Sequence, residues 1–371
     1  MTAILQIPRT LFGVGAIARL GDELDQLGLN RPLVVTDKGV ARAGLLDQAT
    51  SALGSRVGHV FDEVTENNVF ADADTGAAVF GANGCDCVVG LGGGSVLDTA
   101  KCIAVLAACG GRIAEYTLDP VAPINDAAPI IAIPTTAGTG SDADIYAGIH
   151  PDNSSPGVGI ASYCIIPRVA ILDPALTKTL PARLTAATGI DALSHCIEGY
   201  LSKEDVPFAK LIAMDGLRRG VNALGRAVAN GEDMAARSEM LLVAYAGGVA
   251  MSMGTGPAHA IALTCSDQGF PHGILSGIGI VMTLDRALAR VPNARMAIGN
   301  ALNADPGQSP ASAFAGLMRS VGLPTRLAEL GYRCGDIGRT ALSAHQHFLN
   351  GFAHLPPTLE DYTEMFQCTL T

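Results

Sequence analysis

The run CDCVVGLGGGSVLDTAK, residues 85 to 101, passes from alternating apolar residues into three consecutive glycines and then into a helical pattern. A strand running into a glycine turn and out through a helix is the repeating unit of a parallel sheet, since parallel strands need a crossover between them. Ser95 stands three positions before Asp98, the spacing of a capping box. Gly92, Gly93 and Gly94 let a ligand approach the backbone, and the N–H groups of a first helical turn attract a diphosphate. On this segment alone an ordinary strand-to-helix turn stays open as the alternative, because Ser95 replaces the third glycine of GxGxxG.

Working outward, the same texture recurs up to about residue 180: RPLVVTDKG, VGHVFDEV, PIIAIPTTAGTGS and RVAILDP alternate with Ala-rich helical stretches. The pattern predicts an α/β domain with a mostly parallel sheet covered by helices. Beyond Leu180-Pro181 helical periods take over to the C-terminus, with breaks near Gly231, Gly254 to Pro257, Phe270 to Gly273 and Leu355 to Pro357. The boundary is expected as a short hinge within residues 174 to 182, separating an α/β domain from an all-α one.

With 371 residues and 49% hydrophobic content, the chain is long enough for two cores. Its net charge of −11, with no block of like charges, argues against a nucleic-acid partner, which needs a concentrated basic patch. No secretory signal is visible at the N-terminus. The longest nearly apolar stretch, LLVAYAGGVAMSMG from Leu241, is too short for the roughly 20 residues of a membrane span, and a packed core helix is expected there. Nine cysteines, an odd number with no CxxC pair, point to reduced thiols in a cytoplasmic protein. Cys85 and Cys87 read as small buried hydrophobes.

A second loop, IPTTAGTGSDAD (133 to 144), brings Thr135, Thr136, Thr139 and Ser141 to the end of another strand. Two such loops at strand ends fit a nucleotide better than either alone. Asp37 closes the strand PLVVTD, where its carboxylate suits a ribose hydroxyl and repels a 2′-phosphate, so NAD is favoured over NADP. A role as turn former before Gly39 is equally open.

In TGIDALSHCIEG (188 to 199), Asp191 and His195 lie four positions apart on one helical face. A pair of this kind is more often a hydrogen-bonded structural contact than a metal site, which needs at least three convergent donors. His259 in GTGPAHAIAL and His272 in GFPHGILSG supply two more. One carboxylate and three imidazoles form a borderline N/O set suited to Fe(II) or Zn(II).

The blocks GGGSVLDTAK, IPTTAGTGSD, LPARLTAATGIDALSHCIEGYLS, GPAHAIAL and PHG, in this order, resemble the iron-containing (group III) alcohol dehydrogenase family over essentially the whole chain. Through RPLVVTDKGV, LTAATGIDALSHCIE and VGLPTRLAELG the chain is similar to the branch that includes 4-hydroxybutyrate dehydrogenases. The resemblance implies a dehydroquinate synthase-like pair of domains: an N-terminal Rossmann-like domain over residues 1–180 and a C-terminal helical domain over residues 181–371. It implies a metal held by Asp191, His195, His259 and His272, which would make these the catalytic centre. It also implies a dinucleotide held by Asp37, Asn67, Gly92, Gly93, Gly94, Ser95, Asp98, Thr135, Thr136, Thr139 and Leu176, a small alcohol or aldehyde as substrate, and a homodimer or larger assembly. The chain departs from the family where a second histidine is usual, at Leu263; where a lysine often contacts the cofactor, at Gly157; and where GTGSE has a glutamate, at Asp142. Tyr146, Met251, Asp267, Phe348 and Asn350 are candidate pocket residues, with Phe348 at a position where the branch carries lysine. A lyase of the dehydroquinate-synthase type and a non-catalytic nucleotide sensor are the two other readings.

Overall fold

The computed structural model describes residues 5–56, 58–117, 122–289 and 291–371. The chain divides into two compact units, Gln6–Leu180 and one comprising Pro181–Thr371.

In the first unit eight strands are formed among the described residues: β1 (Arg9–Phe12), β2 (Pro32–Val35), β3 (His59–Phe61), β4 (Cys87–Gly92), β5 (Ile130–Pro134), β6 (Tyr146–Ile149), β7 (Val158–Ala161) and β8 (Val169–Leu172). Six of them make one sheet in the order β1-β8-β5-β4-β2-β3, and every pairing in it is parallel. The alternation of side chains in these strands feeds two separate cores. Leu33, Val35, Val88 and Ile130 pack on one side, and Val34, Cys87, Val89, Leu91, Ile131 and Ile133 on the other. Both faces of the sheet are thereby covered, which is why the strands read as unbroken apolar runs. Cys85 and Cys87 are buried in these cores, as expected of small hydrophobes.

Two features depart from the expectation. Absent from the sequence reading are the edge strand β1, which owes its conformation to pairing with the distant β8, and the antiparallel hairpin in which β6 pairs with its neighbour β7. The capping box at Ser95 and Asp98 is absent. The helix Gly94–Cys109 begins with Gly93 as N-cap and no side-chain cap. Ser95 Oγ instead donates to the Glu66 carbonyl at 2.5 Å, and Asp98 accepts from Ser141 Oγ at 2.5 Å and Gly148 N at 2.9 Å. Tertiary partners have outcompeted the local bonds.

In the second unit no named strand occurs among the described residues. The helices Ala182–Leu201, Pro207–Ala229 and Met234–Met251 pack on one another, and His272–Leu288 packs on both Ala182–Leu201 and Pro257–Thr264. Leu241, Val243, Ala244, Gly247 and Gly248 of Met234–Met251 are buried, so the apolar stretch from Leu241 is a core helix. No helix among the described residues is long and apolar enough to cross a membrane. Close packing depends on glycine at two points. A Cβ on Gly273 would strike the Ala187 carbonyl, and one on Gly279 the Ala258 carbonyl, so both helix pairs meet backbone to backbone. These contacts bring three stretches far apart in sequence, around residues 191, 259 and 272, to one place.

Candidate metal centre and nucleotide-binding turn

Asp191 and His195 sit in the middle of Ala182–Leu201, one helical turn apart. His259 is the third residue of Pro257–Thr264, and His272 opens His272–Leu288 directly after Pro271. Asp191 Oδ1 lies 4.0 Å from His195 Nε2, 3.9 Å from His259 Nε2 and 3.8 Å from His272 Nε2. These separations are too long for hydrogen bonds. Donors about 2.1 Å from a tetrahedral ion stand roughly 3.4 Å apart, so the set is close to the size a small cation requires. Asp191, His195 and His259 each offer a ligand atom within 4.8 Å of the others, and all three are buried. The His195 and His259 rings stack at 4.6 Å between centroids, and His272 is 5.5 Å from His259.

Two buried ring nitrogens, His195 Nδ1 and His259 Nε2, have no hydrogen-bond partner. An unpaired buried polar atom costs about 1–3 kcal/mol; His259 Nε2 faces Asp191 and fits a donor for a cation, whereas His195 turns Nε2 to Asp191 and its Nδ1 toward Gly247. The side chains of Asp191, His195 and His259 are 4 to 5% exposed and that of His272 is 39% exposed, which makes His272 the open side of the cluster. Charge states match. Burial opposes ionisation of Asp191, but the three imidazoles and the Ser276 hydroxyl outweigh it and hold the carboxyl below its ordinary value. Burial pushes His195 down to about 4, so its ring is neutral at pH 7. For His259, burial is outweighed by a 2.6 Å bond from Nδ1 to Glu198, and its value is raised.

Sequence reasoning passed over two residues here. Glu198 is bonded to His259, and Ser276 Oγ is 2.6 Å from Asp191 Oδ1. The signal for Glu198 was available: residues 191, 195 and 198 follow the i, i+4, i+7 rhythm of one helical face. Among the pocket candidates, Asn350 is committed elsewhere. Its Nδ2 donates to the carbonyls of Ala344, His345 and His347, and its Oδ1 accepts from Tyr362 OH at 2.6 Å. These bonds hold the buried Asn350 side chain in place and occupy its amide hydrogens. Met251 is buried, Asp267 and Phe348 are exposed, and Phe348 stacks on His347. His347 is held below its ordinary value by burial and by nearby His259. His345 bonds the Pro357 carbonyl.

In the α/β unit, the turn from β4 into Gly94–Cys109 lies against the loop that follows β5. A Cβ on Gly93 would come 3.1 Å from Thr136 Cγ2, and one on Gly94 would overlap Thr139 Cγ2. Thr135 N donates to the Gly92 carbonyl at 2.9 Å, tying the two loops together. The uncapped helix leaves N–H groups of its first turn for a ligand or solvent. Such a cradle, closed by glycine and opened by free N–H groups, fits a diphosphate.

The remaining nucleotide candidates are disposed unevenly. Asp37 caps the helix Lys38–Arg42 through Oδ1, which accepts from Gly39 N at 2.6 Å and Val40 N at 2.9 Å, so the turn-forming role is realised. Asn67 is exposed. Thr139 Oγ1 accepts from Ser141 N, and both oxygens of Asp98 are occupied. Leu176 is 1% exposed and its side chain belongs to the core, which leaves only its backbone for a ligand. Tyr146 opens β6, its phenol pushed up to about 12 by burial. Gly157 lies beside the His150 ring, which a Cβ there would approach to 3.2 Å.

Residues 8–174 match the family described as iron-containing alcohol dehydrogenase, and residues 185–368 match the Fe-containing alcohol dehydrogenase family, C-terminal. The chain is 38% identical to the 4-hydroxybutyrate dehydrogenase of Cupriavidus necator, over 85% of this chain and 86% of that protein. It is 32% identical to the NAD-dependent methanol dehydrogenase of Bacillus methanolicus over the full length of both. Among solved structures, sulfoacetaldehyde reductase from Bifidobacterium kashiwanohense in complex with NAD+ superposes with a TM-score of 0.90 at 27% identity, covering 100% of this chain and 99% of the other.

Proposed function

The chain belongs to the iron-containing alcohol dehydrogenase family, in the branch with 4-hydroxybutyrate dehydrogenases, and we propose that it interconverts a small alcohol and its aldehyde by hydride transfer with NAD at a metal held by Asp191, His195, His259 and His272. The observation that carries the reading is the convergence of three imidazole Nε2 atoms within 4.0 Å of one carboxylate oxygen, with no hydrogen bond among them. Fe(II) or Zn(II) bound there supplies Lewis acidity toward the reacting oxygen, worth several kcal/mol of transition-state stabilisation.

The chain's own residues define what else happens. Asp191 stays ionised and His195 neutral at pH 7, so neither needs to shed a proton before it acts as a ligand. The exposed edge of His272 gives a small oxygen-bearing substrate its way in. In the α/β unit, the glycine turn and the first N–H groups of Gly94–Cys109 receive the diphosphate. Asp37, with a carboxylate at the end of β2, accepts from a ribose hydroxyl and repels a 2′-phosphate, which favours NAD over NADP. Two similar proteins, the NAD-dependent methanol dehydrogenase and the sulfoacetaldehyde reductase in complex with NAD+, support this preference. With leucine at position 263 and glycine at 157, proton transfer runs through water or the cofactor ribose. Phe348 stands where the branch carries lysine and offers no cation to a substrate carboxylate, and the substrate is a small aldehyde or alcohol. The active species is a homodimer or larger, which native mass spectrometry reads directly.

Family membership leaves the lyase and sensor readings without an observation of their own. Metal analysis of the purified protein, followed by NADH oxidation against a panel of short aldehydes, tests the proposal. One equivalent of metal with turnover on at least one aldehyde is expected. Bound metal with no turnover on the whole panel overturns it.

A further inference from the structure

Glu198 lies three residues beyond His195 on the same helix, and its side chain is 7% exposed in a mostly apolar setting that includes Ile197, Leu201, Ile280 and Leu284. An ionised carboxyl in such a place is unfavourable unless its lone pairs are satisfied. They are satisfied by one short stretch of another helix. Oε1 accepts from Ala258 N at 2.8 Å, while Oε2 accepts from His259 N at 3.3 Å and lies 2.6 Å from His259 Nδ1. Pro257 has no N–H, and Ala260 N is already bonded to the Gly256 carbonyl. Glu198 therefore takes up both N–H groups left over at the start of Pro257–Thr264 and the ring N–H of the histidine in its first turn. Gly256 permits this approach, since a Cβ there would come within 2.9 Å of Glu198 Oε1.

We propose that Glu198 is a positioning residue for the metal centre: it fixes the tautomer and orientation of His259. The inference rests on the metal centre proposed above. With Nδ1 donating to Glu198, the lone pair must reside on Nε2, the atom that is buried without a protein partner and stands 3.9 Å from Asp191 Oδ1. Histidine ligands are commonly oriented through the other ring nitrogen in this way. His195 provides the internal contrast, because its Nδ1 has no comparable partner.

A purely structural Glu198, serving only as a cap for Pro257–Thr264, predicts a different result from a positioning one. The test is titration of the metal-free full-length protein with Co(II), with affinity read by chelator competition and the ligand field by visible absorption, on the parent, Glu198→Gln and Glu198→Ala. The parent is expected to take one equivalent. Glu198→Gln, which keeps the shape and loses the charge, binds about 10-fold more weakly, and Glu198→Ala up to about 100-fold. Both bands shift from the parent's position, while circular dichroism of metal-free Glu198→Gln matches the parent. If Glu198→Gln is folded and binds Co(II) within twofold of the parent, with only its melting temperature lowered, Glu198 is a cap and the inference falls. If the parent itself takes up no Co(II), the proposed metal centre falls and takes this inference with it. Should Glu198→Ala fail to fold, Glu198→Gln alone decides.

Discussion

The helical unit and the α/β unit present ligand-binding atoms of opposite kinds. Around Asp191 the open valences are on side chains: His259 Nε2 is buried with nothing to bond, and Asp191 Oδ1 faces three ring nitrogens at 3.8 to 4.0 Å. Around Gly93 the side chains are largely committed. Ser95 bonds Glu66, Asp98 bonds Ser141 and Gly148, Asp37 caps its own helix, and Leu176 is in the core. What stays open there is backbone, at the uncapped start of Gly94–Cys109. A metal needs a few donors of defined chemistry, whereas a diphosphate is held by many weak N–H dipoles on a surface close enough to reach. Substitutions should therefore act differently in the two places: by deleting a donor in one, and by filling space in the other.

The largest effect is expected from Asp191→Ala. Removing the oxygen shared by all three imidazoles should empty the metal site and lower kcat/KM by about 10³ or more, as loss of several kcal/mol of transition-state stabilisation implies. Affinity for NAD, measured by fluorescence titration, should stay within about twofold. A parallel loss of NAD binding would break the proposed independence of the two regions.

Gly94→Ala reverses the pattern. Its Cβ would overlap Thr139 Cγ2, forcing the glycine turn and the β5 loop apart. We expect NAD to bind about 10- to 100-fold more weakly, an effect of roughly 1.4–2.8 kcal/mol, with metal content unchanged. Unchanged NAD affinity would show that the turn is not a phosphate cradle.

A third test concerns stability. Asp142 is 2% exposed, its Oδ2 has no partner, and burial pushes its carboxyl up to about 6 despite the opposing effect of Lys101. A carboxyl whose folded value is raised contributes stability that is full below its unfolded value near 4 and lost as pH rises through about 6. Asp142→Asn should thus stabilise the protein at pH 8 by about 1–3 kcal/mol and have little effect at pH 4. Melting curves at the two pH values check this, and a pH-independent difference would contradict it.

The smallest change is expected from Ser276→Ala. The hydroxyl lies between Asp191 Oδ1 at 2.6 Å and the His272 carbonyl at 2.8 Å, with one hydrogen for both. Its loss should cost about 1 kcal/mol, seen as a roughly fivefold weaker Co(II) affinity. A larger loss than that of Asp191→Ala would reverse the order of importance assigned to the cluster.

Much of this architecture was legible in the chain. The runs around residues 32–35, 87–92, 130–134 and 169–172 are apolar because both faces of the sheet are covered, and that signal survives without any knowledge of the fold. Asp191 and His195 could be placed on one helical face from their spacing alone. Local rules failed where a distant partner took over a local bond. Ser95 and Asp98 have the spacing of a capping box, yet Glu66, Ser141 and Gly148 hold them. Asn350 looks available in the sequence and is held by three carbonyls and Tyr362.

By itself, then, the order of residues determined the elements and the chemical types on offer, since strand and helix periodicity, glycine turns and the count of imidazoles and carboxylates are local properties. Only the tertiary structure decided which polar atoms remain unbonded. Gly273 and Gly279 bring helix backbones together, Glu198 takes one nitrogen of His259, and the other is left facing Asp191. Whether a donor is free or satisfied depends on neighbours tens of residues away, because a hydrogen bond is made across space and carries no trace in the spacing of the chain.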